Sequence, residues 1–508
     1  MVASLRQRNI LSLCAGVLFL VSVYLLVRKS SATVQTTSAG VRASSTKHQK
    51  FTIGYCDEAR AISSKAIVVP ASSKHEDLTM MRIRFDEFDP KLYSNPNILP
   101  APRGSSFDYV GFARYDPKEE ESSETKLEIH WCLMTMRTAP ITGLNFIECS
   151  SQPTPLPSPH FESVKDSCGD LKHLELDFGL IDHRVFWSPF GEPLMLVVSN
   201  SHVACLGQYL IDLRVLVPEL SHLLRVENVP IRYGKYVELD DVNISDTIFH
   251  RNWMMLFDEH NYGYISYGML PQAVAAISKP EVNIAQGSPN CLQEIVQATT
   301  GTVATLIQAS NSLRLTLCRF PCTPTLENTV LISLVQAEYS NNLDIYYRRY
   351  LVMMEPVAPF KIIARSRNLI YAGADNTNPL FSASLIWDTN ERNHASWANY
   401  EPEIKDEKLW KAKKLHKRGG TDLKKKTAPQ EVMTPAGEQV HADWIHIRDV
   451  DHMMYNMQTQ FQNHLVSDYY QGWLDDTLVI TFSISSLYSG FIQVNARDMV
   501  NCLIECSV

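Results

Sequence analysis

Two short segments of the 508-residue chain gather a carboxylate, guanidinium groups and indoles just ahead of strand-like runs. Ile181-Asp182-His183-Arg184-Val185-Phe186-Trp187 leads into Gly191-Glu192-Pro193-Leu194-Met195-Leu196-Val197-Val198, and His250-Arg251-Asn252-Trp253 leads into Gly263-Tyr264-Ile265-Ser266-Tyr267. A carboxylate such as Asp182 can hold or release a proton. The planar guanidiniums of Arg184, Arg251 and Arg314 can each grip a phosphate through two parallel hydrogen bonds. Asn252 can orient a hydroxyl or phosphate oxygen, and Trp253 offers an apolar face to a pyranose ring. Polar groups placed where strands meet loops are where sites form on all-β scaffolds, so the pattern points to a carbohydrate-active β-propeller. The plain alternatives are an Asp182–Arg184 structural pair, core tryptophans at 187, 253 and 473, and satisfied histidines at 183 and 250.

The elements that must carry these residues read as strands. Runs rich in Val, Ile, Leu, Tyr and Thr occur at 126–132, 194–199, 264–267, 313–318, 330–335, 346–353 and 477–484, separated by Pro, Gly, Asn and Asp. No long amphipathic helical period follows Phe51, and the helix-compatible pieces, such as 451–465, are short. The class is therefore all-β, and strands spread evenly over the chain suit a propeller better than one sandwich. No exact repeat is visible, so the blades cannot be counted from the sequence. A lysine-rich insertion at 401–427 interrupts the strand pattern and reads as a solvated loop.

The N-terminus bears on the compartment. Residues 1–9 form a short cationic tail, and the 18-residue apolar run at 10–27 just suffices to span a bilayer. A Ser/Thr/Ala/Val-rich stem follows at 28–50, with the folded domain at 51–508. An uncleaved anchor with a lumenal domain, type II in a Golgi or other secretory membrane, is the simplest expectation. Cys14 lies in the anchor, and the ten remaining cysteines form an even set that an oxidising lumen could pair. The four-residue steps Cys318 to Cys322 and Cys502 to Cys506 lack histidines at ligand distance, which disfavours zinc. Asn243-Ile244-Ser245 is a glycosylation sequon.

Other chemistries find no support. A net charge of −8 gives no general attraction for phosphate backbones, which sets nucleic acid aside. Phosphate-cradling glycine loops, serine-hydrolase elbows and zinc-protease helices are missing from the sequence. The acidic pairs Asp240-Asp241 and Asp475-Asp476 are adjacent residues that face opposite ways on a strand, so no metal site and no cofactor is expected.

With these residues on the page, the chain resembles a family of fungal membrane-anchored propellers related to the fungal β-1,2-mannosyltransferases. More distantly it resembles the five-bladed propeller mannoside phosphorylases and hydrolases. The family pattern Glu-Asp-Pro-Arg-hydrophobic-Phe is met by Ile181 to Phe186, and Glu-Lys-Asn-Trp by His250 to Trp253. Asn95 to Pro100 followed by Tyr109 to Arg114, then Asn311 to Leu315, and finally Asp475 to Ser483 fit the same order. The resemblance implies a five-bladed propeller that transfers mannose from a nucleotide sugar or sugar phosphate to a glycan acceptor. It makes Asp182 the first catalytic carboxylate and Asp476 the second. Arg114, Arg184, Arg251, Asn252, Trp253 and Arg314 become the substrate contacts. The family's glutamates are replaced by Ile181 and His250, its proline by His183 and its lysine by Arg251, so a phosphorylase or hydrolase and a catalytically silent glycan-binding propeller stay open beside the transferase.

Overall fold

A computed structural model describes residues 61–63, 66–69, 81–86, 92–115, 127–140, 143, 145–158, 179–201, 205–239, 252–277, 279–283, 290–297, 303–340, 345–371, 380–389, 467–484 and 488–506. The expected anchor at 10–27, the stem, Asn243, Arg251 and the lysine-rich run at 401–427 lie outside them. Among the described residues no helix is long and apolar enough to cross a membrane. Strand accounts for 56% of the structure and helix for 9%, so the all-β expectation holds.

The strands follow the chain as antiparallel meanders. The first runs Tyr93–Pro100, Tyr109–Tyr115, Glu128–Thr138, Asn145–Cys149. The second runs Ile181–Trp187, Pro193–Asn200, Leu206–Asp212, Val237–Glu238. The third runs Met254–Phe257, Gly263–Met269, Gln272–Ala276, Lys279–Asn283. In the fourth, Val303–Gln308 and Leu313–Thr316 lie end to end against Thr329–Ser340, which pairs on to Ile345–Met354 and Ile362–Ser366. The fifth runs Leu380–Trp387, Thr477–Ile484, Tyr488–Asn495 and is completed by the early strand Met81–Arg84. That early strand also pairs in parallel with Asn145–Cys149, fusing the first and fifth meanders into one nine-stranded sheet.

Composition explains which strands lie deep. Pro193–Asn200 is buried at every position, as a continuous apolar run between other strands should be. Met81–Arg84 alternates buried and exposed residues, the period-two pattern of a strand with one wet face. One core cluster packs Val110 and Phe112 of the first meander against Trp187, Met195 and Val197 of the second. Another packs Ile98 and Met134 against Ile386, Val479 and Phe491 of the fifth.

Side-chain hydrogen bonds join successive meanders in sequence. Asn97 Oδ1 accepts from the Val185 amide, linking first to second. Arg184 Nη2 donates to Asn252 Oδ1, linking second to third. Ser312 Oγ donates to the Met255 carbonyl, and the Leu385 amide donates to Asn311 Oδ1, linking third to fourth and fourth to fifth. Thr481 Oγ1 donates to the Pro96 carbonyl and Ser483 Oγ accepts from the Asn95 amide, returning from fifth to first. Apart from the side-chain pair Arg184–Asn252, these bonds satisfy backbone groups beside the strand breaks.

The far ends of the leading strands are crossed by the segment at 467–473. Ser467 N donates to the Pro189 carbonyl, and the Tyr470 carbonyl accepts from Arg314 N and Trp387 Nε1. Tyr469 stacks on Trp187 at 4.4 Å, and Gln471–Trp473 pairs in parallel with Leu313–Thr316. Gly472 is needed there because a Cβ would overlap the Trp387 indole.

Disulfides secure the same domain. Cys132–Cys149 staples two strands of the first meander, Cys318–Cys322 closes a loop, and Cys291–Cys506 ties the helix Asn290–Gln297 to the C-terminal edge. Cys205 and Cys502 are disulfide-bonded as well. The two four-residue steps thus diverge: Cys318 and Cys322 bond each other, whereas Cys506 bonds Cys291.

Candidate functional site

The segment expected to precede a strand is itself the leading strand of the second meander, and a bulge within it aims the polar residues. Between the pairs Leu196 with Arg184 and Val198 with Ile181 one extra residue is accommodated, and Asp182 there takes φ 50°. Asp and Asn tolerate this left-handed region because their short polar side chains bond locally. The device recurs. Register shifts fall at 94–97 and 382–384, and Asn95 and Asn252 have φ 52° and 61°. In the fourth meander the break lies at 309–312, where Ala309 N and Ser310 N both point to the Leu334 carbonyl. Bulges bend a strand and redirect side chains at its end.

Equivalent positions can therefore be compared across the meanders. Asn97 and Asn311 hold the following strand's amide in the same way, at Val185 and Leu385. Counting from those amides sets Asn97, Arg184, Asn311 and Ser384 at one level. Asn95, Asp182 and Ser382 fall two residues earlier.

Arg184 is buried. Its Nη2 donates to Asn252 Oδ1 at 2.8 Å, its Nη1 to the His183 carbonyl at 2.9 Å, and its guanidinium lies 5.2 Å from the Phe381 ring centroid. Nε finds no acceptor. Burial pushes its pKa down to about 10, and the Asp182 carboxylate opposes that shift. Asp182 itself is half-buried. His183 is fully buried, and its pKa falls to about 3 because of desolvation and the neighbouring Arg184 charge, with Arg114 adding to the effect and a backbone contact at Phe112 opposing it. The imidazole is neutral at every physiological pH.

The structure thus brings together Asp182, Arg184 and Asn252, with Arg114 close enough for its charge to act on His183. Trp253 is buried and packs 6.0 Å from Tyr267, as a core residue rather than a sugar platform. Arg314 stands apart: Nη2 donates to the Asp258 carbonyl at 2.6 Å and its guanidinium lies over Tyr470. It sits three residues beyond Asn311, roughly 10 Å along the strand from the Arg184 level. Asp476 is also elsewhere. Its Oδ2 accepts from Trp473 N in a buried turn, seven residues from Ser483, or roughly 23 Å along an extended strand. Phe381, Asn97 and Asn95 were not among the expected site residues. The signal for Asn97 was the polar residue just before Ile98-Leu99, matching Arg184 before Val185-Phe186.

Neither a family model nor a curated relative matches the chain. Among the described residues no group of three or more His, Cys, Asp or Glu could hold a metal.

Proposed function

We propose that this protein is a glycosyltransferase of the secretory pathway that moves mannose from a nucleotide sugar or sugar phosphate to a glycan acceptor. Its scaffold is a five-bladed propeller of the kind carried by relatives of the fungal β-1,2-mannosyltransferases, held to a Golgi-type membrane by the N-terminal segment. Five successive meanders, the last completed by an early strand, support the propeller reading. Eight disulfide-bonded cysteines support an oxidising compartment.

The observation that carries the proposal is the charged pair. Where other meanders have Asn95 and Asn97, or Ser382 and Ser384, the second has Asp182 and Arg184. Transfer needs one base and one group to take up charge at the leaving phosphate. Asp182 accepts the proton of the acceptor hydroxyl as its oxygen bonds the anomeric carbon. The bond from that carbon to the donor phosphate breaks with both electrons left on phosphate oxygen, which the guanidinium stabilises. Hydrolysis by paired carboxyls needs a second carboxyl about 5–9.5 Å away, and Asp476 sits in a buried turn before Thr477–Ile484, committed to Trp473 N.

A second reading, a catalytically silent propeller that binds glycans, is favoured by the commitment of Arg184 to Asn252, His183 and Phe381. The deciding experiment incubates the protein with nucleotide-sugar donors and with mannose 1-phosphate, comparing wild type with Asp182→Asn and Arg184→Met. Release of nucleotide or phosphate that both substitutions abolish upholds transfer. Retention on mannan without turnover of any donor upholds the silent reading instead.

A further inference from the structure

The hydrogen bonds that stitch the meanders join neighbours, and none in that series links the second meander to the fifth. The Arg184 guanidinium nevertheless lies 5.2 Å from the ring centroid of Phe381, so the two meanders meet here and skip the first. The half-buried Phe381 is held on every side. Just before it, the Leu380 carbonyl accepts from Arg349 Nη1 at 3.3 Å, and just after it, the Ser382 amide donates to Gln336 Oε1 at 2.5 Å. Both anchors belong to the fourth meander. So does Tyr347, two residues before Arg349 on Ile345–Met354, and its ring meets that of Phe381 at 5.6 Å and 77°. A ring braced this way has little freedom left to lose when a ligand arrives. The guanidinium, in turn, has a plane that must be set. One N–H of Nη2 goes to Asn252 Oδ1 and one of Nη1 to the His183 carbonyl, and among the described residues no acceptor meets the second N–H of either nitrogen. A ring over the face opposes rotation of the plane and leaves those in-plane donors unused.

We propose that Phe381 is a positioning residue for phosphate recognition at the charged pair: its ring sets the plane of the Arg184 guanidinium, so that the remaining N–H groups meet the donor's phosphate as a fork already in place. This role rests on the transfer reading only in taking phosphate as the group that Arg184 receives. Preorganised donors are worth more than mobile ones because no reorganisation is needed when the charge arrives.

The test measures binding of mannose 1-phosphate to the full-length protein by titration calorimetry, with turnover of nucleotide-sugar donors followed beside it. Phe381→Leu fills similar space without a π face and should weaken binding about tenfold. Phe381→Tyr keeps the face and should restore most of the affinity. Arg184→Lys keeps a charge but has no plane to set, so adding Phe381→Leu to it should cost at most about twofold, a coupling that a purely structural role of Phe381 would not produce. Circular dichroism spectra matching wild type would verify that the variants fold. Unchanged binding in Phe381→Leu, equal losses in the arginine and lysine backgrounds, no rescue by tyrosine, or no binding of mannose 1-phosphate to wild type would overturn the proposal. Binding that depends on Phe381 without turnover of any donor would instead leave this role standing and refute glycosyl transfer.

Discussion

Replacing Arg184 with methionine separates a functional guanidinium from a structural one. Arg184 is buried with two hydrogen bonds to neutral acceptors and one unsatisfied Nε, and its pKa falls from 12.5 to about 10. That difference corresponds to about 3 kcal/mol. Its sign follows from proton binding: the unfolded chain holds the proton more tightly than the folded one. The cost is therefore fully present through neutral pH and fades only as pH rises from about 10 past 12.5. Removing the buried cation relieves that cost but leaves its acceptors, Asn252 Oδ1 and the His183 carbonyl, without a donor, at about 1–3 kcal/mol. Arg184→Met should accordingly stay within about 2 kcal/mol of wild type, while the proposed glycosyl transfer disappears. Urea unfolding at pH 7, read by tryptophan fluorescence, gives the stability through an unchanged m value and a shifted midpoint. A loss of more than about 2 kcal/mol would refute the reasoning and make Arg184 a stitch between the second and third meanders.

Two further outcomes follow from the same structure. His183 is fully buried with its pKa lowered from 6.5 to about 3. Its contribution is complete above pH 6.5 and is lost as pH falls toward 3, at up to about 1.4 kcal/mol per pH unit; His183→Phe should flatten that part of a stability-against-pH curve measured by urea midpoints. Cys291→Ser with Cys506→Ser removes a bond between residues 215 apart, for which chain entropy gives at most about 5 kcal/mol. Its denaturant midpoint should drop and the C-terminal amides should exchange faster, and an unchanged midpoint would show that the pairing of Leu503–Glu505 with Ile362–Ser366 suffices alone.

Much of the fold was legible because deep strands leave uninterrupted apolar runs. The run at 477–484 coincides with the observed Thr477–Ile484, and the run at 194–199 sits within Pro193–Asn200. What escaped was the leading strand of the second meander, since Asp182, His183 and Arg184 break any period of two. The bulge that accommodates them depends on the partner strand. The joining hydrogen bonds escaped for a related reason. Asn252 meets Arg184 across 68 residues and Asn95 meets Ser483 across 388, and neither distance leaves a local spacing to read. Arg314 shares its residue type with Arg184, but its position three residues past the strand break carries it roughly 10 Å along the strand, to the Asp258 carbonyl and Tyr470.

The repeated architecture supplies its own control for the charged pair. If the left-handed residue served only to turn the chain, an amide would suffice, as Asn95 and Asn252 demonstrate with φ 52° and 61°. If the residue two places later served only to reach the neighbouring strand, an amide would again suffice, as Asn97 and Asn311 do when they accept from Val185 and Leu385. The second meander instead carries a carboxylate at the first position and a guanidinium at the second, and the guanidinium is held at a cost of about 3 kcal/mol that a neutral amide would not incur. Backbone geometry and strand linkage account for the neutral residues completely. They do not by themselves call for charges at Asp182 and Arg184, which the proposed proton transfer beside a developing phosphate charge would use.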